Sequence, residues 1–330
     1  MLNFPNDSLN TAQIIFQSHD QYQVIFADRS VHQATLAGRM QLADTLPLIG
    51  DFVSGQVYDQ DKFLITTLLP RQTLLTRASN QQDQAIAANV TTVFITMSLN
   101  AEFSTSRVER YLTLVWDSGA TPVIVLTKTD LEPELLVQRQ LELEAIAFGV
   151  PIITTTSTTP LVAREQLNAY LQPTTTAVFV GSSGVGKSTL LNILAAQQLQ
   201  STKAVRGGDD KGRHTTTARQ LFYLPNGAAL IDSPGIRGVG VASSTTTATA
   251  QSFPDITSLA QQCRFNDCQH EQEPGCAVQA AIANGELSAQ RLADYRRLLR
   301  ETEYSTMNSR QITAAKIKRM VGNKKNLRRR

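Results

Sequence analysis

The sequence predicts a multidomain chain: an N-terminal small β-barrel, a central α/β domain with a parallel, doubly wound sheet, and a C-terminal helical metal-binding unit. Three observations carry that reading. Short β-type runs separated by turn residues fill positions 13 to 68, strands then alternate with helical stretches, and every cysteine of the chain falls between 263 and 276. The expected boundaries are 1–76, 77–245 and 246–330. With 330 residues, 42% hydrophobic and 18% charged, each part has enough chain and apolar content to bury a core, and disorder is not the default. Met1 to Asn10 lacks a basic stretch followed by an apolar one, and no apolar run approaches the length of a bilayer span. A cytoplasmic location with no membrane contact is expected.

In the first part the strand runs are Gln13–Phe16, Gln23–Phe26, Gln33–Leu36, Phe52–Val57 and Phe63–Leu68, with His19-Asp20, Asp28-Arg29 and Asp59-Gln60-Asp61 as turns. Five short strands at this spacing fit an OB-fold or an SH3-like barrel. Either could bind RNA on a strand face or serve only as a packing module.

In the second part, Val90–Met97, Thr121–Leu126, Val150–Ile153, Ala177–Val180 and Ala228–Ile231 read as buried strands. Helices are expected around Arg107–Val115, from Glu132 to Ala147 and over Thr189–Ala196, which is the βαβ alternation of a parallel sheet. Ligands in such sheets bind at the carboxyl ends of the strands.

Between two of these elements stands Gly181-Ser182-Ser183-Gly184-Val185-Gly186-Lys187-Ser188, which fits G-x-x-x-x-G-K-[ST] in its required strand-loop-helix setting. Glycines let backbone N–H groups curl around phosphate oxygens, and the helix N-terminus beginning near Thr189 adds positive potential. Lys187 would reach the β- and γ-phosphates and Ser188 would hold Mg²⁺. Asp232-Ser-Pro-Gly235 matches D-x-x-G, where Asp232 holds Mg²⁺ through water and the Gly235 N–H meets the γ-phosphate. Thr127-Lys128-Thr129-Asp130 resembles N-K-x-D, whose aspartate reads the guanine N1 and N2 donors while Lys128 lies along the base. Thr156 and Ser157 could present backbone N–H to guanine O6. The Gly212–Thr217 loop offers Thr215, Thr216 and Thr217 to complete the Mg²⁺ shell, Thr216 being the one assigned here. His214 in the same loop is the candidate to orient the attacking water, because Ile236, after D-x-x-G, cannot hydrogen-bond.

The order of these motifs is unusual. A GTPase ordinarily has its phosphate loop first and its base-reading loop later, whereas here Thr127–Asp130 precedes Gly181–Ser188. A circular permutation leaves every strand-end loop on the same edge of the sheet, so the site can still assemble.

In the third part, Cys263, Cys268, His270 and Cys276 supply three thiolates and an imidazole within fourteen residues, a closed tetrahedral zinc set with no open position for catalysis. Leu292, Tyr295, Leu298 and Leu299 share a face of a helix opened by Gly285–Ser288, expected to be core or a docking face. Lys316 to Arg330 carries eight cations and no acid, so the net charge of +3 leaves −5 on the rest. Such a run is a solvated tail or a nucleic-acid footprint.

Taken together, GSSGVGKST, GRHTTT, DSPG, the C-x₄-C-x-H-x₅-C spacing, Gly50-Asp-Phe-Val53 and Arg110-Tyr-Leu112 resemble the circularly permuted, ribosome small-subunit-dependent GTPases called RsgA or YjeQ. The resemblance covers nearly the whole chain. It implies an OB-fold for the barrel, hydrolysis of GTP to GDP and phosphate stimulated by the small ribosomal subunit, rRNA contact and a role in late maturation of that subunit. It points to the same His214, and a monomer is expected. The rival reading is a non-catalytic RNA-binding module stabilised by nucleotide and a structural zinc; intact Lys187, Ser188 and Asp232 argue against it. Two positions depart from the family. Thr127 replaces the usual Asn, which is expected to weaken a base contact and a tether to the phosphate loop, and Thr91 stands where Asp is common.

Overall fold

The computed structural model describes residues 4, 10–18, 21–59, 61–77, 84–100, 103–195, 219–232, 246–305 and 311. His214, Thr216, the rest of the Gly212–Thr217 loop, Gly235 and the basic run from Lys316 lie outside the described residues.

Strands β1 (Thr11–Gln17), β2 (Tyr22–Ile25) and β3 (Val31–Leu36), the single turn α1 (Gly38–Gln41), and strands β4 (Phe52–Asp59) and β5 (Lys62–Leu68) form the N-terminal unit. β1 pairs with both β2 and β4, and the remaining edges join in the order β2, β3, β5, β4, with β3 and β5 parallel. The five strands therefore close on themselves as the Greek-key barrel of an OB-fold, which resolves the alternative left open by the strand count. Ile14, Val24, Val53, Phe63 and Ile65 fill it.

β6 (Leu74–Arg77) and β7 (Gln84–Ala88) make a separate hairpin that the sequence reading did not anticipate, and β6 runs through position 76. The central sheet follows with β8 (Thr92–Ser98), α2 (Thr105–Ser118), β9 (Thr121–Thr127), a 3-10 turn (Pro133–Leu135), α3 (Leu136–Glu144), β10 (Ile152–Thr154), α4 (Pro160–Asn168), β11 (Thr176–Val180), α5 (Lys187–Ala195), β12 (Arg219–Tyr223) and β13 (Ala229–Asp232). Its order is β10-β9-β8-β11-β13-β12, with the first five parallel and β12 antiparallel to β13. Alternation along the strands splits the core in two. Val93, Ile95, Ile124, Leu126, Val178 and Val180 face α2 and α3, while Phe94, Val123, Val125, Ala177 and Phe179 face α4 and α5. Helices on both faces make the sheet doubly wound, as expected.

β12 has a second role. Its free edge pairs antiparallel with the end of β1 through Phe16↔Gln220 and Gln17↔Arg219, so barrel and central sheet run together as one hydrogen-bonded surface. A register shift between Ile14 and Phe16 in β1 gives the bend that lets one strand serve both.

The C-terminal unit comprises α6 (Thr246–Ser252), α7 (Pro254–Ala260), α8 (Ala277–Ala283) and α9 (Ala289–Ser305) around Phe253, Ile256, Val278, Leu292 and Leu298. Leu292 and Leu298 are core, and Tyr295 packs against the same cluster. Among the described residues no helix is long and apolar enough to cross a membrane.

Candidate nucleotide site and metal centre

Three loops meet at the carboxyl edge of the parallel strands. The first leaves β11 at Gly181 and enters α5 at Lys187. Gly181, Gly184 and Gly186 all have positive φ, a backbone conformation that residues with a Cβ rarely adopt. Gly181 is also fixed by contact: a Cβ there would stand 2.3 Å from the Thr96 carbonyl oxygen of β8. Lys187 Nζ donates to the carbonyls of Gly181, at 2.7 Å, and Ser182, which lays the ammonium across the loop. Val185 is buried as the loop's hydrophobic pin, whereas Ser183, Gly184, Ser188 and Thr189 are exposed along the mouth.

The second loop follows β9. Thr127 is buried, and its Oγ1 donates to the Val185 carbonyl at 2.6 Å. The tether to the phosphate loop that this threonine was expected to weaken is therefore made, by a hydroxyl in place of an amide. Lys128 takes a left-handed backbone, φ 58°, which turns the chain so that Thr129 and the exposed Asp130 continue along the site's rim. The third loop follows β10: Thr129 Oγ1 donates to the Thr155 carbonyl at 3.3 Å, and Thr155 N–H donates back to Leu126 at 2.7 Å. Thr156 accepts from the Thr158 N–H in a tight turn that leaves Ser157 exposed. Asp232 ends β13 on the same edge, two strands from β8 across β11. The phosphate loop, the T-K-T-D loop and the Thr156-Ser157 turn thus form one bonded rim, with Asp232 beside it.

Thr91, for which the sequence suggested no role, closes the start of the β8–β11 ladder. Its Oγ1 donates to the Thr176 carbonyl at 3.2 Å and accepts from the Thr176 N–H at 3.0 Å.

Away from this rim, Cys263, Cys268, His270 and Cys276 bring their ligand atoms within 4.8 Å of one another. His270 Nδ1 lies 3.5 Å from both Cys263 Sγ and Cys276 Sγ, and those two sulfurs are 3.9 Å apart. The left-handed backbone of His270, φ 58°, turns its ring inward, and Gln279 Nε2 donates to its carbonyl. Burial, followed by the Arg296 cation, holds the imidazole below its ordinary pKa, which favours the neutral ring that a metal requires. Cys276 caps α8, accepting from the Gln279 N–H. The four side chains can hold a metal ion and offer no fifth group.

The order in which the chain visits the rim, base-side loop first and phosphate loop second, matches the comparison with known proteins. The model of the RsgA GTPase family matches residues 68–242. The chain belongs to this family. Small ribosomal subunit biogenesis GTPase RsgA 2 of Lactiplantibacillus plantarum is 46% identical over 322 residues, spanning 96% of this chain and 90% of that protein. The RsgA of Syntrophotalea carbinolica is 40% identical over 320 residues, 93% of this chain and 87% of its own length. The crystal structure of YjeQ from Thermotoga maritima superposes with a TM-score of 0.67 at 26% identity, covering 89% of this chain and 98% of that one. YloQ, described as a circularly permuted GTPase, shares the fold with a TM-score of 0.65, covering 93% and 99% at 24% identity. The enzyme is accordingly a permuted GTPase of the RsgA type.

One side chain at the RsgA phosphate loop escaped the sequence motifs. Arg107, in the first turn of α2, donates from Nη1 to Ser182 Oγ at 2.8 Å. The only signal for it was a cation one turn after Ser104, whose side chain caps the helix; the pairing across 75 residues is tertiary. Helix α2 also carries Glu109, which is buried against Arg291 of α9 at 2.7 Å.

Proposed function

We propose that this RsgA GTPase binds GTP with Mg²⁺ on the bonded rim, hydrolyses it to GDP and phosphate in contact with the small ribosomal subunit, and acts late in maturation of that subunit through its rRNA. The observation that carries the reading is the Thr127 to Val185 hydrogen bond, 2.6 Å, which ties the T-K-T-D loop directly to the Gly181–Ser188 loop. The relatives' names, small ribosomal subunit biogenesis GTPase, support the partner.

In this reading each residue has a stated task. Backbone N–H groups of Ser183, Gly184, Val185 and Gly186 surround the β-phosphate, and Lys187 exchanges its loop carbonyls for phosphate oxygens. Ser188 and Thr216 would hold Mg²⁺, with Asp232 assisting through water, and the ion would supply charge neutralisation for the phosphates. Thr189 follows on α5 toward the α-phosphate, and the Gly235 N–H meets the γ-phosphate. Asp130 accepts from the guanine N1 and N2 donors, Lys128 lies along the base, Thr129 braces the rim, and Thr156 and Ser157 offer N–H groups to O6. His214 would orient the attacking water through its imidazole. Cys263, Cys268, His270 and Cys276 would hold zinc: a tetrahedron with zinc–sulfur bonds of about 2.3 Å has sulfur–sulfur edges of about 3.8 Å, close to the 3.9 Å between the Cys263 and Cys276 sulfurs. Its role is structural. The protein works as a cytoplasmic monomer, and its basic tail contacts rRNA phosphates.

The test is GTP turnover by the purified full chain with and without small ribosomal subunits, with ATP as competitor. Stimulation by subunits and indifference to ATP are expected. Equal turnover in both conditions would overturn the partner, and competition by ATP would overturn the base assignment. His214→Ala is expected to retain nucleotide and subunit binding while losing about 10²-fold or more of stimulated turnover. Survival within a few-fold would pass the water to the partner.

A further inference from the structure

The phosphate loop is held from three sides. Thr96 of β8 backs Gly181, the Thr127 hydroxyl fixes Val185, and the Arg107 guanidinium holds the side chain of Ser182, whose carbonyl in turn receives Lys187. The first two contacts come from strands that frame any such sheet. The third is different in kind, because it brings a cation to the second residue of the loop from a helix outside the sheet.

That helix is itself tied down at the turn where Arg107 sits. Ser104 caps it, accepting from the Arg107 N–H at 3.4 Å. Ser106 donates to Asp294 at 2.9 Å, Glu109 pairs with Arg291 at 2.7 Å, and Arg110 pairs with Glu301 at 3.0 Å, all on α9. Between Ser106 and Arg110, three residues look toward α9 and one toward the phosphate loop. A half-buried arginine on so constrained a turn has few rotamers to lose when it binds, so its hydrogen bond to Ser182 carries over into loop geometry.

We propose that Arg107 is a positioning residue of the phosphate loop, locking the Ser182 side chain and adding positive potential beneath the bound triphosphate. The proposal rests on the reading of Gly181–Ser188 as the nucleotide site. It gives the loop a third anchor drawn from outside its own sheet, placed so that the α2–α9 seam fixes it.

The experiment titrates fluorescent GDP and GTP analogues onto the full-length protein and measures turnover for R107M, R107K, S182A and the R107M/S182A pair, with K187A as reference. R107M is expected to weaken both nucleotides about tenfold, the scale of a lost charged hydrogen bond. S182A should lose a similar factor, the pair should lose no more than R107M alone, and R107K should recover part of the affinity. A residue that served only the fold would lower the melting temperature without this non-additivity and without rescue by lysine. Affinity within twofold of the wild type in R107M, or losses that multiply in the double variant, would overturn the proposal. If R107M fails to fold by circular dichroism, S182A alone decides: a five- to tenfold loss supports the anchor, and one within twofold overturns it. Should K187A bind nucleotide as the wild type does, the site reading itself would fall, whatever Arg107 does.

Discussion

The buried hydroxyl of Thr127 donates to the Val185 carbonyl at 2.6 Å, and a Cβ on Gly186 would stand in van der Waals contact with it at 3.7 Å. Thr127→Val keeps the shape and removes the donor, leaving the Val185 carbonyl one partner short at a cost of about 1–3 kcal/mol. Guanine-nucleotide affinity is expected to fall about tenfold in a fluorescence titration, and an unchanged constant would remove the tether from the account. Asp130 is exposed at the end of the same turn, where its carboxylate is available to a base. For Asp130→Asn a competition assay should show preference moving from guanine toward xanthine nucleotides, because the amide can donate where the carboxylate could only accept.

Helix α2 and the cysteine–histidine cluster set the behaviour of whole elements. Glu109 Oε1 pairs with Arg291, yet its Oε2 is buried without a hydrogen bond among the described residues. Burial pushes the carboxyl from 4.5 up to about 7, against the pull of Arg291 and helped by Asp294. The folded protein therefore takes up a proton more readily than the unfolded chain. Stability should fall as pH rises from 4.5 to about 7 and level off above, by ~1–3 kcal/mol from this group. Urea midpoints across that range should slope less in Glu109→Gln, which keeps an acceptor for Arg291 and carries no charge. Equal slopes in both proteins would move the pH dependence elsewhere. At the other end of the unit, the Cys263–Cys276 centre joins α7 to α8 while α9 packs over the same core. Chelating the metal should expose amides around 263–282 to hydrogen exchange and leave the β8–β11 strands protected.

On the scale of the molecule, the barrel and the nucleotide domain share a sheet through β1 and β12, and an ion pair between the buried Asp51 and the half-buried Arg71, at 2.7 Å, clamps the chain where it leaves the barrel. Among the described strands, the G-domain sheet consequently ends on an edge that pairs with the barrel. A chain beginning near Leu74 would expose the β12 edge, and such an edge pairs with other chains. Size-exclusion chromatography should show this truncated protein associating where the full chain does not; a monodisperse truncated monomer with an unchanged melting temperature would show that the shared sheet contributes little.

Local pattern was enough to read much of this enzyme. Short β-type runs such as Gln13–Phe16, separated by turn residues, gave the barrel strands, the strand-loop-helix around Gly181–Lys187 gave the phosphate loop, and the spacing of Cys263, Cys268, His270 and Cys276 gave the metal set. Each is written in neighbouring residues, where backbone conformation and ligand spacing follow from residue type. Tertiary structure alone decided the rest. OB-fold rather than SH3-like closure depended on the parallel pairing of β3 with β5, and the junction of the two sheets depended on a register between Phe16 and Gln220. The threonine hydroxyl that reaches Val185 across 58 residues, and the arginine that reaches Ser182 across 75, are pairings of ordinary residues. Nothing in their own segments marks them, because a hydrogen bond between distant positions is set by how strands and helices stack and leaves no periodic trace in the chain.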